Sequence, residues 1–124
     1  KNVLIVDDSI VRGTTSKQIV QMAKDAGANK VFFTSAAPPV RYPHVYGINM
    51  PNRDELIAHD RTINEIAKKL EIDHLVYQSV DNLRKSIIND SSIKELEMSC
   101  FTGSYVTGTV SQDYLKWVEN EYNS

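Results

Sequence analysis

Four consecutive aliphatic residues, Val3-Leu4-Ile5-Val6, run straight into the acidic pair Asp7-Asp8. Three of the four are β-branched, and a continuous apolar run with acids at its end reads as a parallel strand buried on both faces. After a loop ending Gly13-Thr14-Thr15-Ser16, apolar Ile19, Val20, Met22, Ala23 and Ala26 recur at helical spacing, with Gly27 as the stop. Val31-Phe32-Phe33-Thr34 supplies a second strand. Strand, helix and strand make a unit whose crossover is right-handed and whose strands are parallel.

All four prolines fall between Ser35 and Pro51, so this stretch is a long loop, and its Tyr42 and Tyr46 argue against disorder. Asn52 is placed to cap a short helix to about Ala58, and Thr62-x-x-Glu65 has the form of a capping box opening a helix through about Leu70. His74 to Tyr77 reads as a third strand, and Ser79 as the cap of a helix to about Ile88. Cys100 to Val110 alternates weakly before a last helix from about Ser111 to Glu121, in which Leu115, Trp117 and Val118 form the apolar side. The fold class is α/β, a parallel sheet with flanking helices. Three strands are few for a doubly wound sheet, and the chain opens on Lys1 two residues before its first strand. We therefore expect residues 1–124 to be part of a larger domain, with neighbouring strands elsewhere.

Fourteen Lys and Arg against sixteen Asp and Glu give a net charge of −2, without the basic surplus that nucleic-acid backbones demand. Lys68-Lys69, the longest basic cluster, reads as a solvated face. No apolar run reaches the roughly 18 residues of a membrane span. The single Cys100 forms no internal disulfide, as in a reducing compartment, and a cytoplasmic location is expected. His44, His59 and His74 lack metal-ligand spacing and read as surface or packing residues.

Chemistry concentrates in VLIVDDSIVRGTTS. In a parallel sheet the ligand sits beyond the carboxyl ends of the strands, where Asp7 and Asp8 fall. Adjacent carboxylates there suit a Mg²⁺ ion or vicinal hydroxyls; the bland alternative is a solvated loop with a helix-capping Asp. Arg12-Gly13-Thr14-Thr15-Ser16 brings a flexible residue and three hydroxyls to a helix start, a ready anion site in which Gly13 lets the chain curl around a phosphate. Ordinary N-capping by the hydroxyls is the competing explanation. Carboxylates beside a phosphate cradle suit a sugar phosphate.

The aliphatic run, Asp7-Asp8 and Gly13-Thr14-Thr15 together resemble the phosphoribosyl-pyrophosphate (PRPP) motif of the type I phosphoribosyltransferases. SAAPPVRYPHVYGINMP, ELIAH and CFTGSYVTG extend the similarity, over nearly the whole chain, to the glutamine-dependent amidotransferase branch of that family. The resemblance implies that ammonia derived from glutamine displaces pyrophosphate from PRPP. The products would be 5-phosphoribosylamine, glutamate and pyrophosphate, at the first committed step of de novo purine synthesis. It assigns PRPP binding to Asp7, Asp8, Ser9, Val11, Arg12, Gly13, Thr14 and Thr15, and Mg²⁺ to Asp7 and Asp8. It also implies feedback inhibition by purine nucleotides and a homo-oligomeric parent. Residues 1–124 would be the C-terminal portion of the transferase domain, lacking the glutaminase domain and the first part of the transferase domain, and inactive alone.

Two departures carry information. Base-using relatives have an acid three positions after the second aspartate, where this chain has Val11; ammonia brings its own lone pair and needs no such partner. Some branch members bind an iron–sulfur cluster through cysteines at the positions of His44, Glu97 and Cys100, and one cysteine cannot supply four thiolates, so no cluster is expected. A phosphorylation-regulated receiver domain is a rival, because it too opens with a hydrophobic strand and a Mg²⁺-binding acidic pair, and Ile48-Asn49-Met50-Pro51 is similar to the D-x-x-M-P segment around its phosphoacceptor. Gly47 stands where the acceptor aspartate is required. A protein that binds PRPP as a regulatory signal without reacting it shares the same cradle and stays open as an alternative. Arg41 and Tyr42 are minor candidates for nucleotide regulation or lid docking.

Overall fold

The computed structural model describes residues 1–121. Three parallel strands, β1 (Asn2–Asp7), β2 (Lys30–Ser35) and β3 (His74–Tyr77), lie in the order β1-β2-β3. Asp7 pairs with Ser35 and Ser35 with Tyr77, so the three strands end in one row at their carboxyl edge. Helix α1 (Thr14–Asp25) connects the first two strands, and α2 (Ile63–Leu70) precedes the third.

Both helices land on the same face. Val20 of α1 and Ile66 and Leu70 of α2 close a core with Ile10, Val31, Phe33 and Ile57, against which Ile5, Leu75 and Tyr77 pack. Asp73 holds the entry to β3, accepting the Val31 N–H at 2.8 Å while its own N–H donates to the Val31 carbonyl at 3.0 Å. The expectation of a first strand buried on both faces is corrected here. Leu4 is 64%, Val6 70% and Val76 60% exposed, because their side chains point away from α1 and α2 and no described element packs over them. A run such as VLIV states apolarity on both sides of a strand, not which side this chain itself covers.

The capping box of α2 forms as read: the Thr62 hydroxyl accepts the Glu65 N–H at 3.3 Å, and the Glu65 carboxylate accepts the Thr62 N–H at 2.7 Å. Ser79 caps α3 (Val80–Ile88) through the Asn82 N–H. After Asn52 the chain makes only a 3₁₀ turn over Arg53–Glu55 rather than a helix to Ala58. Leu56 and Ala58 are fully buried; Leu56 is extended, and residues 57–60 turn again, the His59 N–H donating to the Leu56 carbonyl at 3.1 Å. The weakly alternating stretch after residue 99 is no strand either: it opens with the single-turn α4 (Ser99–Thr102).

The last helix, α5 (Gln112–Glu121), docks through buried Leu115, while Trp117 stays 56% exposed. Arg53 holds it, its Nε donating to Glu119 at 2.7 Å and its Nη1 to Gln112 at 3.2 Å. The proline-rich loop is ordered from within, with Pro38 and Val40 buried. Arg41 is spent on structure: its Nη1 donates to the carbonyls of Ala58 and Arg61 at 2.7 and 2.8 Å. No helix among the described residues is long and apolar enough to cross a membrane.

Candidate functional site

The loop between β1 and α1 is anchored at every few residues by this chain alone. The carbonyls of Asp7 and Asp8 accept from the N–H groups of Ala36 and Ala37, each at 2.9 Å, extending the strand pairing past the sheet edge. Ile10 points into the core, 1% exposed. The Val11 carbonyl accepts the Ile57 N–H at 2.9 Å, and Arg12 Nε stands 3.3 Å from Glu55. Gly13 ends the loop with φ +81.

Thr14, Thr15 and Ser16 lie inside the first turn of α1 rather than ahead of it, and Gly13 is the N-cap with no side-chain cap bond. The capping alternative for these hydroxyls is therefore set aside. The first N–H used in the helix is that of Lys17, donating to the Gly13 carbonyl at 2.9 Å; those of residues 14 to 16 have no acceptor among the described residues. Three free donors at the positive end of a helix are what an anion seeks.

A cavity of about 500 Å³ opens over this loop, lined by Asp7, Asp8, Ser9, Val11, Arg12 and Gly13 through Ser16. All eight residues assigned to PRPP on the sequence resemblance line it. Asp7 Oδ1 accepts the Asp8 N–H at 2.9 Å, and Asp8 Oδ1 accepts the Ser9 hydroxyl at 3.1 Å. The second oxygen of each carboxylate has no protein partner among the described residues. These two groups fit a Mg²⁺ ion that keeps water and substrate oxygens, the usual manner of Mg²⁺ at phosphate sites. Among the described residues no cluster of three or more His, Cys, Asp or Glu forms an all-protein metal cage.

Ala36, Ala37, Glu55 and Ile57 hold the loop from distant segments; they fall in the SAAPP and ELIAH stretches that carry the resemblance, but no local pattern marks this role. A Cβ on Gly13 would meet Ile57 Cδ1 at 2.5 Å and Leu70 Cδ2 at 3.3 Å, so the missing side chain also makes room for the core.

No protein-family model matches the chain. It is 52% identical over 124 residues to an amidophosphoribosyltransferase of Haemophilus influenzae, covering 99% of this chain and 25% of that protein. It is 49% identical, over its full length, to the amidophosphoribosyltransferase of Saccharomyces cerevisiae, of which it covers 24%. This chain is homologous to one segment of the amidophosphoribosyltransferases. It spans about a quarter of the length of these curated relatives. A solved structure described as the allosteric regulatory enzyme of purine biosynthesis superposes with a TM-score of 0.80 at 39% identity, covering 96% of this chain and 26% of that one. The glutamine PRPP amidotransferase of B. subtilis, complexed with ADP and GMP, gives 0.75 at 40% identity over 85% of this chain and 24% of its own.

His44 and Glu97 meet on one seam, with Cys100 beside it. The His44 Nδ1 accepts the Tyr46 N–H at 3.2 Å, leaving Nε2 to donate to Glu97 at 3.0 Å. The Cys100 carbonyl accepts from Arg41 and Tyr42 at 2.9 and 3.1 Å. Burial, with Glu97 nearby, pushes the Cys100 thiol up. These contacts stitch α4 and its approach to the proline-rich loop, with further help from the Tyr105 hydroxyl, which donates to the Pro43 carbonyl at 2.7 Å.

Proposed function

We propose that this chain carries the PRPP-binding segment of an amidophosphoribosyltransferase, as the C-terminal portion of its type I phosphoribosyltransferase domain. The observation that carries the reading is the single cavity joining Asp7 and Asp8 to three unsatisfied N–H groups at the start of α1. The parent's reaction joins ammonia derived from glutamine to C1 of ribose as the C1–O bond to pyrophosphate breaks. Pyrophosphate leaves with the bonding pair, and the new amine gives up a proton.

In this assignment Asp7 and Asp8 accept hydrogen bonds from the ribose 2′- and 3′-hydroxyls and so fix the ring. The N–H groups of residues 14 to 16, with the Thr14 and Thr15 hydroxyls, hold the 5′-phosphate, and Arg12 adds positive charge at the rim. Val11 presents only aliphatic surface where base-using relatives carry an acid, which suits a nucleophile that needs no proton removed from a ring nitrogen. A Mg²⁺ ion held through Asp7 and Asp8 would neutralise the leaving pyrophosphate. Positioning and charge complementarity account for the catalysis.

The hydrogen-bonded His44 and Glu97 support a cluster-free parent, since neither side chain offers a thiolate. Purine nucleotides are assigned as its feedback inhibitors, supported by the B. subtilis relative with ADP and GMP. A cytoplasmic, homo-oligomeric parent completes the reading.

The test is a titration of the chain with ribose 5-phosphate and then PRPP, with and without Mg²⁺, followed by backbone amide NMR. Saturable shifts at Gly13, Thr14 and Thr15, spreading to Asp7 and Asp8 with Mg²⁺ and PRPP, are expected, with no phosphoribosylamine formed by the isolated chain. A folded chain whose loop amides stay still would refute the site.

A further inference from the structure

Beside the loop cavity lies a second one of about 480 Å³, between α1, α2 and the segment after the 3₁₀ turn, sharing with it only Arg12, Gly13 and Thr14. Its volume falls in the range of small-molecule sites. Ile57 and Leu70 form part of its lining, and four cations reach it from separated parts of the chain: Arg12, Lys17, Arg61 and Lys69. Two acids, Asp54 and Glu55, share the wall. On a chain of net charge −2, this lining carries an excess of two positive charges.

Three of the cations are already engaged. Arg12 meets Glu55 at 3.3 Å, Lys17 meets Glu71 at 3.1 Å, and Arg61 Nη1 donates to the Ile57 carbonyl at 3.1 Å. Lys69 has no partner among the described residues. The α2 lysine pair that reads in sequence as a solvated face is thus divided: Lys69 lines the cavity and Lys68 does not.

We propose that this cavity is a second anion site, taking the phosphate of a small phosphate ester, with Lys69 as its uncommitted cation and Lys17 and Arg61 as neighbours. Convergence of charge from four segments over an apolar floor concentrates the field on a compact anion. The site is separate from the cradle formed by the N–H groups of residues 14 to 16, and it does not depend on what that cradle binds.

The experiment uses the whole 124-residue chain with inorganic pyrophosphate as the probe, read by amide NMR, in parallel on the wild type, Lys69→Gln and Lys68→Gln. Saturable shifts at Gln18, Gln21, Lys69 and Leu70 are expected. Lys69→Gln should weaken them by about threefold, the usual scale for one exposed charge contact, and Lys68→Gln should leave them unchanged. Spectral dispersion of each variant checks the fold. Equal weakening by both variants would reduce the effect to general charge and overturn the site, as would shifts confined to residues 13 to 15. Shifts at the second cavity without any at residues 13 to 15 would uphold this site as independent of the loop, whose own reading rests on the ribose 5-phosphate titration.

Discussion

Gly13 and Ile57 are in contact so close that any side chain on the glycine would displace the isoleucine: the added Cβ would lie 2.5 Å from Ile57 Cδ1. Gly13 also holds φ at +81, a conformation that costs other residues energy. Gly13→Ala should therefore lower unfolding stability by about 2 kcal/mol, combining backbone strain with overpacking. Urea denaturation measures it, and Ile57→Val should recover part of the loss in the double variant. Unchanged stability with weakened phosphate binding would mean that the glycine serves the ligand after all.

Asp7→Asn and Asp8→Asn remove charge from side chains whose outer oxygens touch no other protein group. In the full-length parent each should reduce amidotransferase turnover by about a hundredfold, the scale of losing one electrostatic contact to a transition state. The thermal midpoint should stay within a degree or two. Retained turnover would remove these residues from the site.

The α5 helix depends on one arginine. Arg53 Nε and Glu119 meet at 2.7 Å with side chains only 21% and 16% exposed, and Arg53 Nη2 is buried without a partner. Arg53→Met should leave the carboxylate poorly solvated and cost about 2 kcal/mol. Hydrogen exchange should show α5 opening well before the sheet. Adding Glu119→Gln should restore part of the protection.

Two tyrosines make opposite predictions. Burial pushes both Tyr77 and Tyr105 up to about 12. The Tyr77 hydroxyl has no partner, whereas that of Tyr105 donates to Pro43. Tyr77→Phe should leave stability equal or slightly higher, while Tyr105→Phe should cost about 1 kcal/mol. In the unfolded chain each ionises near 10, its ordinary value, so the native state loses stability as pH rises through the interval from there to about 12. Denaturant midpoints across that interval should fall less steeply in either variant.

Glu97 responds at the acid end. Burial alone would raise its carboxyl, but hydrogen bonds from Ser99 and the neighbouring His44 outweigh this and hold it below its ordinary 4.5. A carboxyl lowered in the folded state contributes stability above its unfolded value and loses it as pH falls through the folded one. The seam between α4 and the proline-rich loop should thus loosen below pH 4.5. Amide exchange at Tyr46 and Ser99 should report it, and Glu97→Gln should abolish the acid dependence there.

Legibility followed the range of the interactions involved. The β-α-β unit, the Thr62 box and the Ser79 cap are written in neighbouring residues, and each appears where its pattern put it. The eight loop residues could be named because a strand end, an acidic pair and a helix start are local signals. What holds that loop is remote: Ala36 and Ala37 on β2's extension, Glu55 at the end of the 3₁₀ turn and Ile57 just past it. The division of Lys68 from Lys69 likewise depends on where α2 sits against α1. Which face of the sheet stays open was equally hidden, since it follows from both crossovers landing on one side.

That open face changes the thermodynamics of the isolated chain. Leu4, Val6 and Val76 remain in water after folding, so unfolding releases less new apolar surface than a chain of this size normally would. The heat-capacity increment should fall below the roughly 1.5–1.9 kcal/mol/K expected for a fully packed domain of this length. A flatter stability curve follows, with weak curvature toward the cold, and any surface that covered the three strands would steepen it.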